Sequence, residues 1–99
     1  MTFRLEFKKE AKDKLRALRN DPSQKAQYKA VLKCLGFLET NLRHSSLKTH
    51  EFESVKGSNN EKIFTAYAQQ NRPAAYRVFW HYGPEKGQIT IVTITPHPH

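Results

Sequence analysis

The sequence predicts an α+β domain in which two helices cover one face of a single sheet. Three observations support this fold class: an alternating apolar segment at the N-terminus, two segments of helical periodicity after it, and three strand-like segments near the C-terminus. Strands that follow one another through short turns pair in antiparallel fashion. We therefore expect an N-terminal strand, a two-helix hairpin and a three-stranded antiparallel meander in one sheet.

The first two elements are predicted from the spacing of their apolar side chains. Residues 2–7 alternate between apolar and polar types, which is typical of a half-buried strand. Residues 8–19 repeat apolar side chains at helical spacing and place basic side chains largely on other faces. The apolar positions are Phe3, Leu5 and Phe7 in the strand and Ala11, Leu15 and Leu18 in the helix.

A second helix is predicted between Asp21 and about Thr40. Asp21 followed by Pro22 fits an N-cap with proline at the first helical position. The two helices, joined by a short turn, then form a helical hairpin. The predicted apolar stripe of the second helix consists of Tyr28, Val31, Leu32, Leu35 and Leu38.

Three further strands are predicted over residues 62–68, 74–82 and 88–95. The segment GPEKG between the second and third of them has the composition of a hairpin turn. Residues 42–61 have no clear period, although a short strand within residues 47–55 is compatible with the sequence. An irregular stretch of this length is more often functional than accidental in a compact domain.

The length of 99 residues suits one domain, which we expect to span residues 1–99. No stretch approaches the roughly 20 apolar residues that a membrane-spanning helix needs. The first residues, MTFRLEFKKE, lack the apolar segment of a signal peptide. Cys34 is the only cysteine in the sequence, so no internal disulfide can form, which suits a reducing compartment. We therefore expect a cytoplasmic protein with no membrane partner.

The charge of the chain is concentrated in its N-terminal half. The sequence has 17 basic and 9 acidic side chains, a net charge of +8. Of these, 12 basic and 5 acidic side chains lie in residues 1–50. Such a positive potential attracts polyanions, of which nucleic acid is the commonest, although an acidic protein or a merely solvated helix surface fits the same charge.

Arg77 is the most informative residue of the strand segments. In residues 74–82 one face is wholly apolar or aromatic, and Arg77 lies on the other. Because the helices can cover only one face, we expect Arg77 on the uncovered face. An arginine within an otherwise apolar strand needs a function or a partner, and the partner could be Glu51, Glu53 or Glu61.

Alternation along residues 88–95 predicts which side chains join Arg77. It places Val92 and Ile94 on one face and Ile91, Thr93 and Thr95 on the other. If the chain stays extended, His97 continues the face of Thr93 and Thr95 next to Arg77.

The C-terminal segment TPHPH carries two histidines on a backbone that its prolines hold extended. A positioned histidine acts as a general acid or base near neutral pH. His97 and His99 could bind a metal with His81, but no cysteine or aspartate completes a recognisable structural site. An unordered chain end is the simpler alternative. The sequence also lacks a glycine-rich phosphate loop and the motifs GxSxG and HExxH.

The order of elements and the C-terminal residues resemble the RelE/ParE toxin superfamily of bacterial toxin–antitoxin pairs. The residues that carry the resemblance are AAYRVFWHYG (74–83), GQITIVTIT (87–95) and PHPH (96–99). Together with the basic helical hairpin, they are most similar to the branch of ribosome-dependent messenger-RNA interferases that includes HigB, YoeB and YafQ. The resemblance covers the whole chain in architecture and is specific at residue level from about Leu47 onward.

The resemblance implies a ribonuclease without metal or cofactor that cuts messenger RNA in the ribosomal A site and is held inactive by an antitoxin protein. In such a reaction a ribose 2′-hydroxyl attacks the adjacent phosphorus, which requires a base, an acid and cations. By resemblance, Arg77 stabilises the phosphate, His97 is the general acid, and His50 and His99 have supporting catalytic roles. By the same resemblance, we expect basic side chains to contact messenger or ribosomal RNA. These are Lys8, Lys12, Arg16, Arg19, Lys25, Lys29, Lys33, Lys48 and Lys56.

Two features depart from the family and leave two other functions open. Many relatives carry an arginine near the end of the last strand, where this chain has Thr93, Ile94 and Thr95, and several end in a tyrosine beside a histidine. A gyrase-poisoning toxin of the ParE branch would share the fold and need no acid–base pair. A non-catalytic module would use the basic hairpin alone to bind RNA, DNA or an acidic protein.

Overall fold

The computed structural model describes residues 2–97 and contains two helices and five strands. Two single 3-10 turns, Pro22–Gln24 and Ser45–Leu47, precede α2 and β2. None of the helices in the described part is long and apolar enough to cross a membrane. In chain order the elements are β1 (Arg4–Phe7), α1 (Lys9–Arg19), α2 (Lys25–Thr40), β2 (His50–Lys56), β3 (Lys62–Tyr67), β4 (Tyr76–Tyr82) and β5 (Gln88–Pro96).

The five strands form one mixed sheet in the order β1-β5-β4-β3-β2. Strands β2 to β5 make an antiparallel meander, and β1 adds to the edge of β5 in parallel, with Leu5 opposite Ile89. The predicted α+β class is confirmed, and the short strand that the sequence allowed within residues 47–55 is present as β2, which ends one residue later, at Lys56. The meander has four strands rather than three because β2 pairs with β3, and the β1 pairing was not predicted.

The start of α2 follows the predicted capping chemistry with one difference. The side chain of Asp21 accepts a hydrogen bond from the backbone N–H of Ser23 at 3.0 Å. This bond caps the 3-10 turn that begins at Pro22, and the α-helix itself begins three residues later, at Lys25. The side chain thereby satisfies a backbone donor at the entry to the helix.

The helices cover one face of the sheet, as the parity of β4 predicts. Val78 and Trp80 lie buried beneath the helices, whereas Tyr82 at the strand end is exposed. The prediction for α2 was wrong at Leu32, which is 42% exposed, while Cys34 lies in the core. The buried helical side chains are Ala11, Leu18, Val31, Cys34, Leu35 and Leu38.

A β-bulge in β5 overturns part of the predicted alternation. Phe79 pairs with Thr93 and Trp80 pairs with Ile91, so Val92 is an extra residue between the two pairs. The bulge resets the pleat and places both Ile91 and Ile94 in the buried core beneath the helices. Ile91 therefore does not share the face of Thr93 and Thr95, contrary to the prediction.

The hairpin between β4 and β5 is confirmed at the segment GPEKG. Gly83 and Gly87, at its two ends, adopt φ values of +81° and +76°. Side chains rarely allow this left-handed region, and glycine enters it without steric cost. The backbone N–H of Gly83 donates to the carbonyl of Gln88 at 2.8 Å and closes the turn.

Candidate functional site

The face of the sheet opposite the helices, which we call the open face, carries Arg77. Arg77 on β4 lies between Tyr67 on β3 and Thr95 on β5. The next row of the open face consists of His50, Thr65, Phe79 and Thr93. Residues directly opposite in antiparallel pairs project to the same side of the sheet, so these side chains are neighbours. The predicted position of Arg77 on the uncovered face is confirmed by this register.

A small cavity of about 110 Å³ lies in the open face beside Arg77. Two polar atoms among its lining residues, Arg77 Nε and Thr65 Oγ1, are buried and have no hydrogen-bond partner within residues 2–97. Buried polar groups in proteins are almost always hydrogen-bonded, so two such atoms on residues of one cavity make it a candidate ligand site. The lining residues are Phe52, Thr65, Arg77, Phe79, Pro96 and His97.

The aromatic ring of Tyr67 supports the guanidinium group of Arg77. The Cζ atom of Arg77 lies 4.2 Å from the centroid of that ring, in cation–π geometry. The ring of His50 meets Tyr67 edge-on, with 5.9 Å between centroids. Tyr67 therefore connects two residues that the sequence predicted as catalytic.

The backbone holds His97 beside Arg77. The N–H of His97 donates to the carbonyl of Ala75 at 2.8 Å, which extends the pairing of β5 with β4 past Pro96. The side chain of His97 is half-buried and lines the cavity of Arg77. The expectation that the extended chain carries His97 to Arg77 agrees with this geometry.

His50 lies at the start of β2 with an exposed side chain. Its Nδ1 atom is 3.0 Å from the carbonyl oxygen of Lys48. Because a carbonyl only accepts, this bond requires the proton on Nδ1 and leaves Nε2 of the neutral ring without a proton. Lys48 itself has a φ of 44° and is exposed.

The predicted salt-bridge partners of Arg77 are engaged elsewhere or do not reach it. Within residues 2–97 no carboxylate lies within 4.0 Å of the Arg77 side chain. Glu51 approaches Lys56 at 3.5 Å. Glu61 accepts a hydrogen bond from the backbone N–H of Asn59 at 3.0 Å, which holds the pKa of the Glu61 carboxyl below its ordinary value. The salt-bridge interpretation of Arg77 is therefore not supported in the described part of the chain.

A larger cavity of about 450 Å³ adjoins the site along the open face. It shares Phe52 and Phe79 with the smaller cavity, and most of its surface is apolar. Phe52 meets Phe79 edge-on, with 5.2 Å between ring centroids. Lys8 and Lys56 lie at its border and bring positive charge to this part of the open face.

The basic side chains predicted to contact RNA are exposed and spread over both helices and the open face. Among these residues, Arg16 forms a surface ion pair with Asp13 at 3.3 Å, in addition to the pair of Lys56 with Glu51. Lys12, Arg16 and Arg19 surround a notch of about 200 Å³ between the helices and the end of β1. Along α2 the exposed lysines are Lys25, Lys29 and Lys33.

Two further residues considered in the sequence, His81 and Cys34, are not brought into the site. His81 is 2% exposed, and its Nδ1 bonds to the carbonyl of Tyr82 at 2.8 Å near the other end of the strand. Burial raises the pKa of Cys34 to about 12, so the thiol is not activated. His99 lies outside the described residues. Residues 2–97 contain no cluster of three metal-binding side chains.

Two residues at the site, Thr65 and Tyr67, were missed from the sequence. Both lie on β3, whose alternation places them on one face with Ile63. That alternation was the available signal, but it becomes informative only when the register against Arg77 is known. The sequence alone does not give this register, because it is a contact between different strands.

Comparison with known proteins gives matches in structure only: no protein-family model matches the chain, and neither does any curated protein sequence. A chain of the archaeal RelE–RelB complex from Pyrococcus horikoshii OT3 is 21% identical with a TM-score of 0.66, over 100% of this chain and 99% of that chain. The YoeB dimer from Staphylococcus aureus is 13% identical with a TM-score of 0.64, over 98% and 99% of the two chains. The YoeB/ParE toxin from Agrobacterium tumefaciens is 5% identical with a TM-score of 0.70, over 96% and 99%. The chain therefore has the fold of the RelE/ParE toxin superfamily.

Proposed function

We propose that this protein is the toxin of a toxin–antitoxin pair and cleaves messenger RNA on the ribosome. The observation that carries the proposal is the cavity at which Arg77 and His97 meet. An arginine with a buried, unpartnered Nε suits a phosphate group, and a histidine beside it suits proton transfer. The RelE/ParE fold, seen over nearly the full length of this chain, supports the same class.

The reaction proceeds by attack of a ribose 2′-hydroxyl on the adjacent phosphorus. The bond from phosphorus to the 5′ oxygen of the next nucleotide breaks, and the products are a 2′,3′-cyclic phosphate and a 5′-hydroxyl. Negative charge builds up on the phosphoryl oxygens as the attacking oxygen approaches. Arg77, held against the ring of Tyr67, is placed to stabilise this charge through charge-assisted hydrogen bonds.

The proton balance requires one acid and one base. His97, in its protonated form, gives a proton to the departing 5′ oxygen. His50 takes the proton from the 2′-hydroxyl through Nε2, the nitrogen that its bond to Lys48 leaves unprotonated. The role of His99 as a further catalytic side chain remains a prediction.

The basic residues of the helices bind the ribosome through phosphates of its RNA. Exposed lysines along one helix are suited to sequence-independent, salt-sensitive contacts. We expect Lys48 and Lys56 to contact the messenger, because Lys56 borders the open face and the exposed Lys48 lies just before the strand that begins at His50. In this way the positive helices position the catalytic face against its substrate.

An antitoxin protein is the expected partner, and the cytoplasm is the expected place of action. One structural neighbour belongs to a RelE–RelB complex, which supports the assignment of such a partner here. An acidic, disordered antitoxin segment that folds on binding would neutralise the basic surface.

Induced expression in a bacterial host tests the proposal. Growth and primer-extension mapping of a translated message are followed for the wild type, Arg77→Gln, His97→Ala and Arg43→Gln. Arg43 is exposed, does not line the cavity and serves as the matched control for loss of a positive charge.

We expect growth arrest and new cuts within translated codons for the wild type and Arg43→Gln. Arg77→Gln and His97→Ala should lose both effects while remaining soluble and folded. Arrest without cuts would favour a gyrase poison, and a wild type that leaves growth and messages unchanged would refute the toxin assignment.

A further inference from the structure

Thr65 has a hydroxyl group that the fold does not use. The residue lies in the middle of β3, is 1% exposed, and its Oγ1 atom has no hydrogen-bond partner within residues 2–97. Such a buried hydroxyl destabilises the folded state, because it gives up its bonds to water and gains none in return. A valine of the same shape would fill the position without this loss. Packing alone therefore does not explain why a hydroxyl group is present at this position.

Two other threonines of the sheet have hydroxyl groups that are bonded within the fold. The hydroxyl of Thr90 donates to the carbonyl of Gly83 at 2.7 Å. The hydroxyl of Thr93 donates to the carboxylate of Glu10 at 2.6 Å. Thr65 differs from these neighbours in lining the cavity of Arg77 rather than meeting a protein acceptor.

The second unpartnered atom indicates the chemistry of a ligand that would suit this cavity. Arg77 lines the same cavity as Thr65, and both its buried Nε and the Thr65 hydroxyl can donate a hydrogen bond. By contrast, the third unpartnered atom, Trp80 Nε1, belongs to a side chain of the core beneath the helices. Two donors on residues that line one cavity, one of them cationic, are complementary to an anion with several oxygen atoms.

We infer that Thr65 contacts the substrate and donates its hydroxyl hydrogen to a phosphoryl oxygen beside Arg77. This inference rests on the proposed function and adds a neutral donor to its phosphate site. Both donor atoms are buried, so a phosphoryl group reaches them only when side chains that line the cavity shift. The position of Thr65 on a central strand keeps the hydroxyl fixed relative to Arg77 on the next strand.

The replacement Thr65→Val separates a substrate contact from a structural role. Removing an unsatisfied buried hydroxyl should stabilise the fold and raise the melting temperature by roughly 4 °C. The same replacement should lower the rate of messenger cleavage roughly 10- to 100-fold, because a hydrogen bond to a charged oxygen is lost. Thr65→Ser keeps the hydroxyl and should retain most of the activity. The matched control is Thr90→Val, which removes a bonded hydroxyl and should lower the melting temperature without removing cleavage.

Titration of the folded proteins with inorganic phosphate, followed by NMR shifts of the backbone amides of β3 and β4, tests the inference without the ribosome. We expect the wild type and Thr65→Ser to bind phosphate at this site, Thr65→Val to bind it at least fivefold more weakly, and Arg77→Gln to bind none. Equal binding by wild type and Thr65→Val, no phosphate binding by the wild type, or a lower melting temperature for Thr65→Val would overturn the inference. Phosphate binding of the expected pattern in a protein that cuts no message would uphold the anion site and remove only the proposed function.

Discussion

Replacing Tyr67 with leucine tests how the fold holds the guanidinium group of Arg77. In the structure the ring of Tyr67 lies 4.2 Å from the Cζ atom of Arg77, and no carboxylate of residues 2–97 holds the arginine instead. Leucine keeps an apolar side chain at this half-buried position but has no π face. The arginine then loses its support while the strand keeps its packing.

The expected size of the effect follows from the cation–π contact. Such contacts are worth about 0.5–1 kcal/mol at exposed sites and about 2 kcal/mol when desolvated. Both side chains are half-buried, so we take about 1 kcal/mol, which corresponds to about a fivefold change in rate. Tyr67→Phe keeps the ring and should stay within about twofold of the wild type.

The assay is the single-turnover rate of message cleavage on purified ribosomes, compared between wild type, Tyr67→Leu and Tyr67→Phe. Melting temperatures of the three proteins control for loss of fold. Equal rates for wild type and Tyr67→Leu, with both proteins folded, would show that the aromatic ring does not position Arg77. An equal loss in Tyr67→Phe would instead assign the effect to the phenol hydroxyl.

Three further predictions concern the core, the cysteine and the basic helix. Leu38→Ala should lower the free energy of unfolding by about 2–5 kcal/mol in urea titrations, whereas Leu32→Ala, at an exposed position, should change it by less than about 1 kcal/mol. Burial raises the pKa of Cys34 to about 12 from its ordinary value of 9.0. The neutral thiol therefore makes its full contribution to the free energy of unfolding below pH 9, and this contribution is lost as pH rises toward 12. The free energy of unfolding of the wild type relative to Cys34→Ala, measured in urea, should therefore fall over that pH range. A difference between the two proteins that does not change with pH would contradict a raised thiol pKa. Neutralising three lysines of α2 should reduce the slope of log affinity against log salt for ribosome binding by about 2. If neutralising three control lysines reduced the slope by the same amount, a specific role of the α2 lysines would be contradicted. The α2 set is Lys25, Lys29 and Lys33, and the control set is Lys14, Lys62 and Lys86.

The features that the sequence predicted correctly depend on local patterns. The face of Arg77 followed from alternation within one uninterrupted strand, β4, which has no bulge inside it. The end of α2 at Thr40 and the cap at Asp21 followed from periodicity and local hydrogen-bonding chemistry. Both kinds of signal need only neighbours in the chain, which is why they could be read without the fold.

The features that were missed depend on contacts between distant segments. The extra residue Val92 bends β5 and moves Ile91 into the core, and nothing in its immediate neighbours marks it as a bulge. Leu32 fits the helical stripe, but α2 turns that position away from the sheet. Tyr67 and Thr65 acquire their roles only through the register of β3 against β4. Tertiary packing therefore determines which side chains surround Arg77, whereas local sequence patterns were enough to predict the strands, the helices and the face on which Arg77 lies.

A message with one 2′-deoxyribose tests the central claim most directly. Purified ribosomes carrying either an all-ribose message or one deoxygenated at the cleaved nucleotide are mixed with wild type or Arg77→Gln. The account predicts that the wild type cuts the all-ribose message to a 2′,3′-cyclic phosphate and a 5′-hydroxyl, and that both the deoxy message and the variant give no cut. Cleavage of the deoxy message, or full activity of Arg77→Gln, would contradict attack by the 2′-hydroxyl at the site of Arg77.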